Sequence, residues 1–181
     1  MEKDLPAQRT TWILLAGLPA TGKSALAHKL ASQLERAAIL DKDRVRESLF
    51  PAMMTDYSTE QDNLCMGAMI EAANYMTSHH LANFIFFDGR TFSRAEQIDE
   101  VLAEAKKSGA GWRILHLSCT DEVAEARLRS PDSDHPARNR DVSLYRRVKS
   151  AFEPILQPKL DLDTSTGVNR VITRALAYIR S

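Results

Sequence analysis

Cysteine is scarce in this chain. The 181 residues hold two, Cys65 and Cys119, too few for a disulfide scaffold and too far apart for zinc-ligand spacing. They read as two buried thiols in a reducing compartment. The five histidines add no metal site. His79 and His80 are adjacent, so one helix face cannot aim both at one ion, and no His/Cys/Asp grouping has zinc spacing. No G-x-S-x-G element is present, which removes support for Ser/His/Asp hydrolysis. Neither sign of charge is in excess: Lys plus Arg and Asp plus Glu are 24 each. The whole-molecule field therefore favours neither nucleic acid nor a membrane surface. No apolar run approaches membrane-spanning length, and the polar stretch Met1 to Thr11 is expected to be neither a signal peptide nor an anchor. A cytoplasmic protein is the expectation. Repeats, low-complexity tracts and a domain-parting linker are also missing, so a single domain over residues 1–181 is predicted.

What is present starts at Gly17. The run Gly17-Leu18-Pro19-Ala20-Thr21-Gly22-Lys23-Ser24 fits the phosphate-binding pattern G-x-x-x-x-G-K-[ST] at every specified position. The apolar run Trp12 to Ala16 leads in, and a helical pattern from Ser24 to Ala31 leads out. Strand, glycine loop and helix turn successive backbone N–H groups inward around an anion. The helix N-terminus adds about half a positive charge behind them. Residues Gly17 to Ala25 are predicted to cradle nucleotide phosphates. Lys23 is placed to reach the β- and γ-phosphates, and the Ser24 hydroxyl to ligate Mg²⁺. An ordinary Gly/Pro turn is the competing reading, and the matching flanks argue against it.

Apolar strand candidates then alternate with helical patterns to the end of the chain. Ala37 to Leu40 is a second strand ending on Asp41, Phe84 to Phe87 a third, Ile114 to Leu117 a fourth and Leu160 to Leu162 a fifth. A long helix is predicted from Glu60 to about His80, with Leu64, Ala68, Ala72, Tyr75 and Met76 on its apolar face. Ser93 is expected to cap a helix through Lys107, with Glu96 completing a capping box and Gly109 stopping it. Helices are also predicted over 121–129, 142–152 and 168–179. Between them, about 130–141, the Pro-broken basic stretch reads as a mobile loop. This alternation predicts an α/β fold with a five-stranded parallel sheet, helices on both faces and a short basic lid. Ligands in such sheets sit outside the carboxyl ends of the strands, where Asp41, Asp88, Ser118 and Asp163 fall.

The chemistry at that rim is the chemistry of phosphoryl transfer. A kinase needs a carboxylate that orients the acceptor hydroxyl and receives its proton. Asp43, in Asp41-Lys42-Asp43-Arg44-Val45-Arg46, can serve, or it can merely cap the helix that follows. Asp88, after an apolar strand, is placed as a Walker-B carboxylate holding Mg²⁺ or its bound water, or it accepts bonds from the next helix. Arg90 can face either substrate or solvent. Arg127, Arg129, Arg138 and Arg140 flank the lid, and one of them can act in cis on the transferring phosphoryl group. A solvated charge cluster is the alternative there.

Taken in order, Gly17–Ser24, Asp41–Arg46, Asp88-Gly89-Arg90 and the Arg127–Arg140 stretch resemble the P-loop kinases related to polynucleotide 5′-hydroxyl kinase. Zeta-toxin-like kinases, chloramphenicol phosphotransferase, gluconate kinase and seryl-tRNA kinase are similar. The resemblance implies a P-loop NTPase fold and ATP and Mg²⁺ as cofactors. It assigns Asp43 as the acceptor-activating aspartate, although some relatives place that carboxylate earlier, so Asp41 stays open as an alternative. It also implies that Arg46 contacts the acceptor, that Arg127 or Arg129 contacts the transferring group, and that Thr164 lies near adenine. Asp41, Asp88 and Arg90 join Arg46 as expected acceptor-binding residues, and Ser24 and Asp88 as metal-binding ones. The expected activity is transfer of the ATP γ-phosphoryl to a hydroxyl acceptor, by a monomer or weak dimer. The balanced charge favours a small molecule over a 5′-hydroxyl polynucleotide. An ATP-binding regulatory module without transfer is the alternative of another class.

Overall fold

Apolar runs such as Phe84 to Phe87 need cover on both faces, and the chain supplies it. The computed structural model describes residues 9–129, 141–165 and 167–181. Within them, β1 (Thr11–Ala16), β2 (Ala37–Asp41), β3 (Phe84–Asp88), β4 (Gly111–Ser118) and β5 (Leu160–Asp163) form one parallel sheet in the order β2-β3-β1-β4-β5. The helices are α1 (Lys23–Ala31), α2 (Lys42–Leu49), α3 (Thr59–Ser78), α4 (Ala95–Lys107), α5 (Asp121–Arg129), α6 (Val142–Ser150) and α7 (Val168–Arg180).

Alternate strand residues point to opposite faces, and two separate cores result. Trp12, Leu14, Ile85, Phe87 and Ile114 pack under α3 and α4. Ile13, Leu15, Phe86, Leu115 and Leu117 pack under α1 and α7. The predicted α/β P-loop fold, with its five parallel strands and two-sided helical cover, is therefore found. Cys65 is buried and Cys119 half-buried, both as free thiols, and burial pushes the Cys119 thiol above its ordinary pKa. No described helix is long and apolar enough to cross a membrane.

Two local expectations are corrected. Most of the α3 face predicted to be apolar is the outer one: Leu64 and Tyr75 are 54% and 59% exposed, and Ala68 and Ala72 are exposed with them, while Met76 packs against the core as expected. The helix buries Cys65, Met66, Met69, Ile70, Ala73 and Thr77 instead. Apolar residues run along both sides of α3, so periodicity alone could not choose. The sheet chose, because Thr77 Oγ1 accepts the otherwise stranded indole N–H of Trp12 at 3.0 Å. Second, Ser93 does not cap α4. The N-cap position is Arg94, with no side-chain cap of its own, and the Ala95 N–H donates to Glu153 at 2.8 Å. A carboxylate from distant sequence replaces the local capping box. Gly109 does end α4, at φ +76°. The N-terminal residues 1–8 and the expected lid, with Arg138 and Arg140, lie outside the described residues, except that Asp141 caps α6 at 2.6 Å.

Candidate functional site

The glycine loop leaves β1 at the centre of the sheet, between β3 and β4. Gly17 sits at φ +140°, and a Cβ there would lie 2.2 Å from the Leu117 carbonyl oxygen, so only glycine lets the loop pass this close to β4. Its N–H donates to Thr91 O at 3.0 Å, which ties the loop to the segment after β3. Thr21 Oγ1 bonds Leu18 O at 2.8 Å. Lys23 Nζ donates to the carbonyls of Gly17 and Leu18, both at 2.8 Å, folding the ammonium over the loop. Helix α1 starts at Lys23 with no acidic residue in its first turn, so its N-terminal dipole faces no side-chain anion of its own.

On the β4–β5 side the rim is stitched together. Thr164 Oγ1 donates to Thr21 O at 2.9 Å, and its N–H to Ser118 O at 2.8 Å. Arg127 Nη1 donates to Ala20 O at 3.0 Å, and Nη2 to Thr164 O at 3.1 Å. Arg127 and Thr164, predicted from segments 37 residues apart, thus meet at the loop. Arg129 does not reach it: its guanidinium is exposed and pairs with Glu125 at 2.7 Å.

The β2–β3 side is different. Asp41 and Asp88 are register partners at the ends of adjacent strands. Gly89 follows at φ +83°, where a Cβ would come within 3.1 Å of Asp41 Oδ1 and 3.0 Å of Lys42. Glycine therefore lets the two strand ends close on each other. Asp41 caps α2, accepting the N–H groups of Asp43 at 2.9 Å and Arg44 at 3.4 Å. Burial, then the neighbouring Asp88, raises the Asp41 pKa above the ordinary carboxylate value. Asp88 is 1% exposed, and among the described residues neither of its carboxyl oxygens has a hydrogen-bond partner.

Because Asp41 does the capping, Asp43 is not spent on it. Asp43 Oδ1 accepts Arg46 Nη1 at 2.7 Å, and Oδ2 has no hydrogen bond among the described residues. Arg46, 3% exposed, also pairs with Asp62 of α3, which receives Lys42 Nζ at 2.8 Å. Its guanidinium lies 5.2 Å from the Tyr57 ring centre. Burial works against the Arg46 charge, and Asp62 and Asp43 more than offset it, so its pKa is raised. Arg90 is 5% exposed; its Nη2 donates to Asn63 Oδ1 at 2.8 Å, and burial lowers its pKa.

Every described residue predicted for the site except Arg129 is therefore at, or one contact from, this rim. Lys42, Asp62 and Asn63 were missed. A polar pair in the first turn of a helix reads as dipole compensation, and only the fold brings α3 against α2. The hydroxyl of Ser24 and the carboxyls of Asp88 and Asp41 are hard oxygen donors of the kind Mg²⁺ takes, and the two unpartnered oxygens of Asp88 fit an ion or its waters. No larger His/Cys/Asp/Glu group suited to a metal occurs among the described residues. Size alone would mislead here. One hollow of about 670 Å³, lined by Arg9, Lys106, Trp112 and Arg113, includes the beginning of β4, the end of the sheet away from the loop.

A family model described as AAA domain matches residues 13–155, which takes in the glycine loop, Asp41 to Arg46, Asp88 to Arg90 and Arg127. The chain belongs to that AAA domain family. This AAA domain protein also shares its fold with solved structures of low identity. A Chloroflexus aurantiacus protein, a kinase candidate by its name, is 20% identical with a TM-score of 0.73, covering 94% of this chain and 99% of its own. A sugar kinase from Janibacter sp. is 17% identical with a TM-score of 0.67, covering 94% and 95%. Mycobacterium tuberculosis APS kinase CysC, in complex with AMPPNP and APS, is 14% identical with a TM-score of 0.69, covering 96% and 99%. No curated protein matches the chain.

Proposed function

We propose that this chain is an ATP-dependent kinase that transfers the γ-phosphoryl group of ATP to a hydroxyl of a small-molecule acceptor. The observation that carries the reading is the division of labour between Asp41 and Asp43. Asp41 ties down the start of α2, and Asp43, in the first turn, has an Oδ2 with no hydrogen bond among the described residues. An acceptor hydroxyl bonded to that oxygen is oriented for in-line attack and can give up its proton as the new bond forms. That the named sugar and APS kinases share the fold supports the reaction class.

The glycine loop would hold the phosphate tail through its N–H groups, and Lys23 would exchange the Gly17 and Leu18 carbonyls for phosphate oxygens. Arg127 and Thr164 would border the nucleotide from the β5 side. Of the two arginines expected to approach the transferring group, Arg127 is the one already beside the loop. Ser24 and Asp88, with Asp41 behind, would hold Mg²⁺, which neutralises phosphate charge as it moves. The test is transfer of ³²P from γ-labelled ATP to sugars, nucleosides, antibiotics and 5′-hydroxyl oligonucleotides. Labelled small-molecule product that disappears in Asp43→Asn, with nucleotide binding intact, supports the reading. Nucleotide binding without transfer to any acceptor class would reduce the protein to a binding module, and oligonucleotide labelling alone would make it a polynucleotide kinase.

A further inference from the structure

Asp62 stands in the first turn of α3, where a carboxylate ordinarily offsets the helix dipole. Glu60 shares that turn and is exposed, as a dipole partner can be. Asp62 instead reaches α2. Its Oδ1 accepts Lys42 Nζ at 2.8 Å and also Arg46 Nη2, from two cations whose side chains are more than nine-tenths buried. Among the described residues, the one other carboxylate within ion-pair distance of either cation is that of Asp43. Its Oδ1 lies 2.7 Å from Arg46 Nη1 and 3.8 Å from Lys42 Nζ. The remaining carboxyls of the rim are not in this set: Asp41 pairs with Arg44, and Asp88 has no hydrogen-bond partner among the described residues. Arg90 forms a neighbouring group. It donates to Asn63, and burial lowers its pKa against the pull of Asp62, Glu100 and Glu96. Two cations thus share two carboxylates, and the sharing has a geometric result. A guanidinium beside a single carboxylate tends to take both of its oxygens in a parallel fork. Here the fork is split, with Nη1 on Asp43 and Nη2 on Asp62.

We infer that Asp62 is a positioning residue for phosphoryl transfer, holding Arg46 and Lys42 so that Asp43 keeps one oxygen for the acceptor hydroxyl. The inference rests on the kinase reading for the role of Asp43 and on the network above for the rest. Without the Asp62 charge, Arg46 Nη2 and Lys42 Nζ are left with Asp43 as their nearest carboxylate, and a buried cation without a partner is costly. Arg46 then closes its fork on Asp43, and the protein's own donor occupies Oδ2. A hydroxyl would have to displace that charge-assisted bond before it could be oriented. The loss falls on turnover rather than on the nucleotide, because the bonds that change are those of Asp43.

The test uses the full chain with γ-labelled ATP and the small molecule that the transfer screen labels, alongside crystal structures with AMPPNP and Mg²⁺. Asp62→Asn keeps the side chain's size and removes its charge. It is expected to lower kcat at least about 10-fold while leaving the KM for ATP within about twofold, and its crystal structure to show both Asp43 oxygens on Arg46. An unpaired buried cation also destabilises the fold, so a second variant, Lys42→Met with Asp62→Asn, removes one charge of each sign. That pair is expected to bring back the melting temperature but not the turnover, with Arg46 still forked on Asp43; a purely structural Asp62 would bring back both. Asp62→Glu, which restores the charge, is expected to recover most of the kcat lost in Asp62→Asn. Unchanged turnover in Asp62→Asn, a loss that falls on the KM for ATP instead, or turnover recovered in the double variant each overturns the inference. So does an Arg46–Asp43 pair still held through one oxygen, or no gain of Asp62→Glu over Asp62→Asn. If the unaltered chain labels no acceptor, the kinase reading falls, and the crystal comparison alone decides whether Asp62 holds Arg46 off Asp43.

Discussion

The two halves of the rim are built on opposite principles. On the β4–β5 side nearly every polar group has found a protein partner: Thr164 bonds Thr21 and Ser118, and Arg127 bonds Ala20 and Thr164. On the β2–β3 side five buried side-chain atoms, on Asp88, Arg90 and Arg46, have none, out of eight such atoms among the described residues. One half is finished without a ligand; the other is incomplete. A satisfied network rigidifies a wall, whereas buried unpaired charge is tolerated where something binds it in function. Substitutions should therefore act differently in the two halves, chiefly on affinity for nucleotide in the first and on transfer and apo stability in the second.

The sharpest blow to both halves is Lys23→Ala at the loop they share, expected to abolish nucleotide binding as read by titration with AMPPNP. Next comes Asp43→Asn, which keeps the side chain's size. It should leave nucleotide affinity intact and cut turnover by at least about 10²-fold; full turnover would reject Asp43 as the acceptor-activating group. Arg127→Ala breaks the finished half. Its bonds are to carbonyls and a hydroxyl at a part-exposed site, so a net loss of about 1 kcal/mol is expected, which is a rise in the KM for ATP of about 5–10-fold. A larger fall in kcat than in ATP affinity would place Arg127 at the transferring group instead.

Asp88→Asn probes the incomplete half in the opposite direction. Removing a buried charge that lacks a partner should raise the melting temperature of the ligand-free protein, by about 2–4 °C for each kcal/mol gained, while lowering the Mg²⁺ dependence of nucleotide binding. The smallest effect is a pH slope at Asp41. Its folded pKa is raised by burial and by Asp88, so the folded state holds a proton that the unfolded chain has released. Stability from this group falls as pH rises from the ordinary carboxylate range through the raised value. Asp41→Asn keeps the cap, since asparagine serves that position, and should flatten this slope in melting temperatures measured across acidic pH. An unchanged slope would mean that the two carboxyls do not repel as placed.

Much of this was legible before any coordinates. The glycine loop declared itself because its constraints are local: residues fixed by backbone angle and phosphate reach, within one turn of chain. The strands and their order of appearance were legible for the same reason, as was the position of Asp41 and Asp88 at strand ends. The inner face of α3 was not legible, because Leu64, Ala68 and Tyr75 are as apolar as Met66, Met69 and Ile70, and only the Trp12–Thr77 bond and the sheet beneath break the tie. Nor was the cap of α4, which Glu153 supplies from far along the chain.

The sequence by itself determined a phosphate-gripping loop on a parallel sheet, because glycine placement and apolar alternation act between neighbours in the chain. Only the tertiary structure decided that Asp41 rather than Asp43 caps α2, that Arg127 rather than Arg129 reaches the loop, and that Lys42 and Arg46 meet Asp62 and Arg90 meets Asn63. Those outcomes depend on charges brought together from separate segments, and the energy of a buried charge is set by what surrounds it in space.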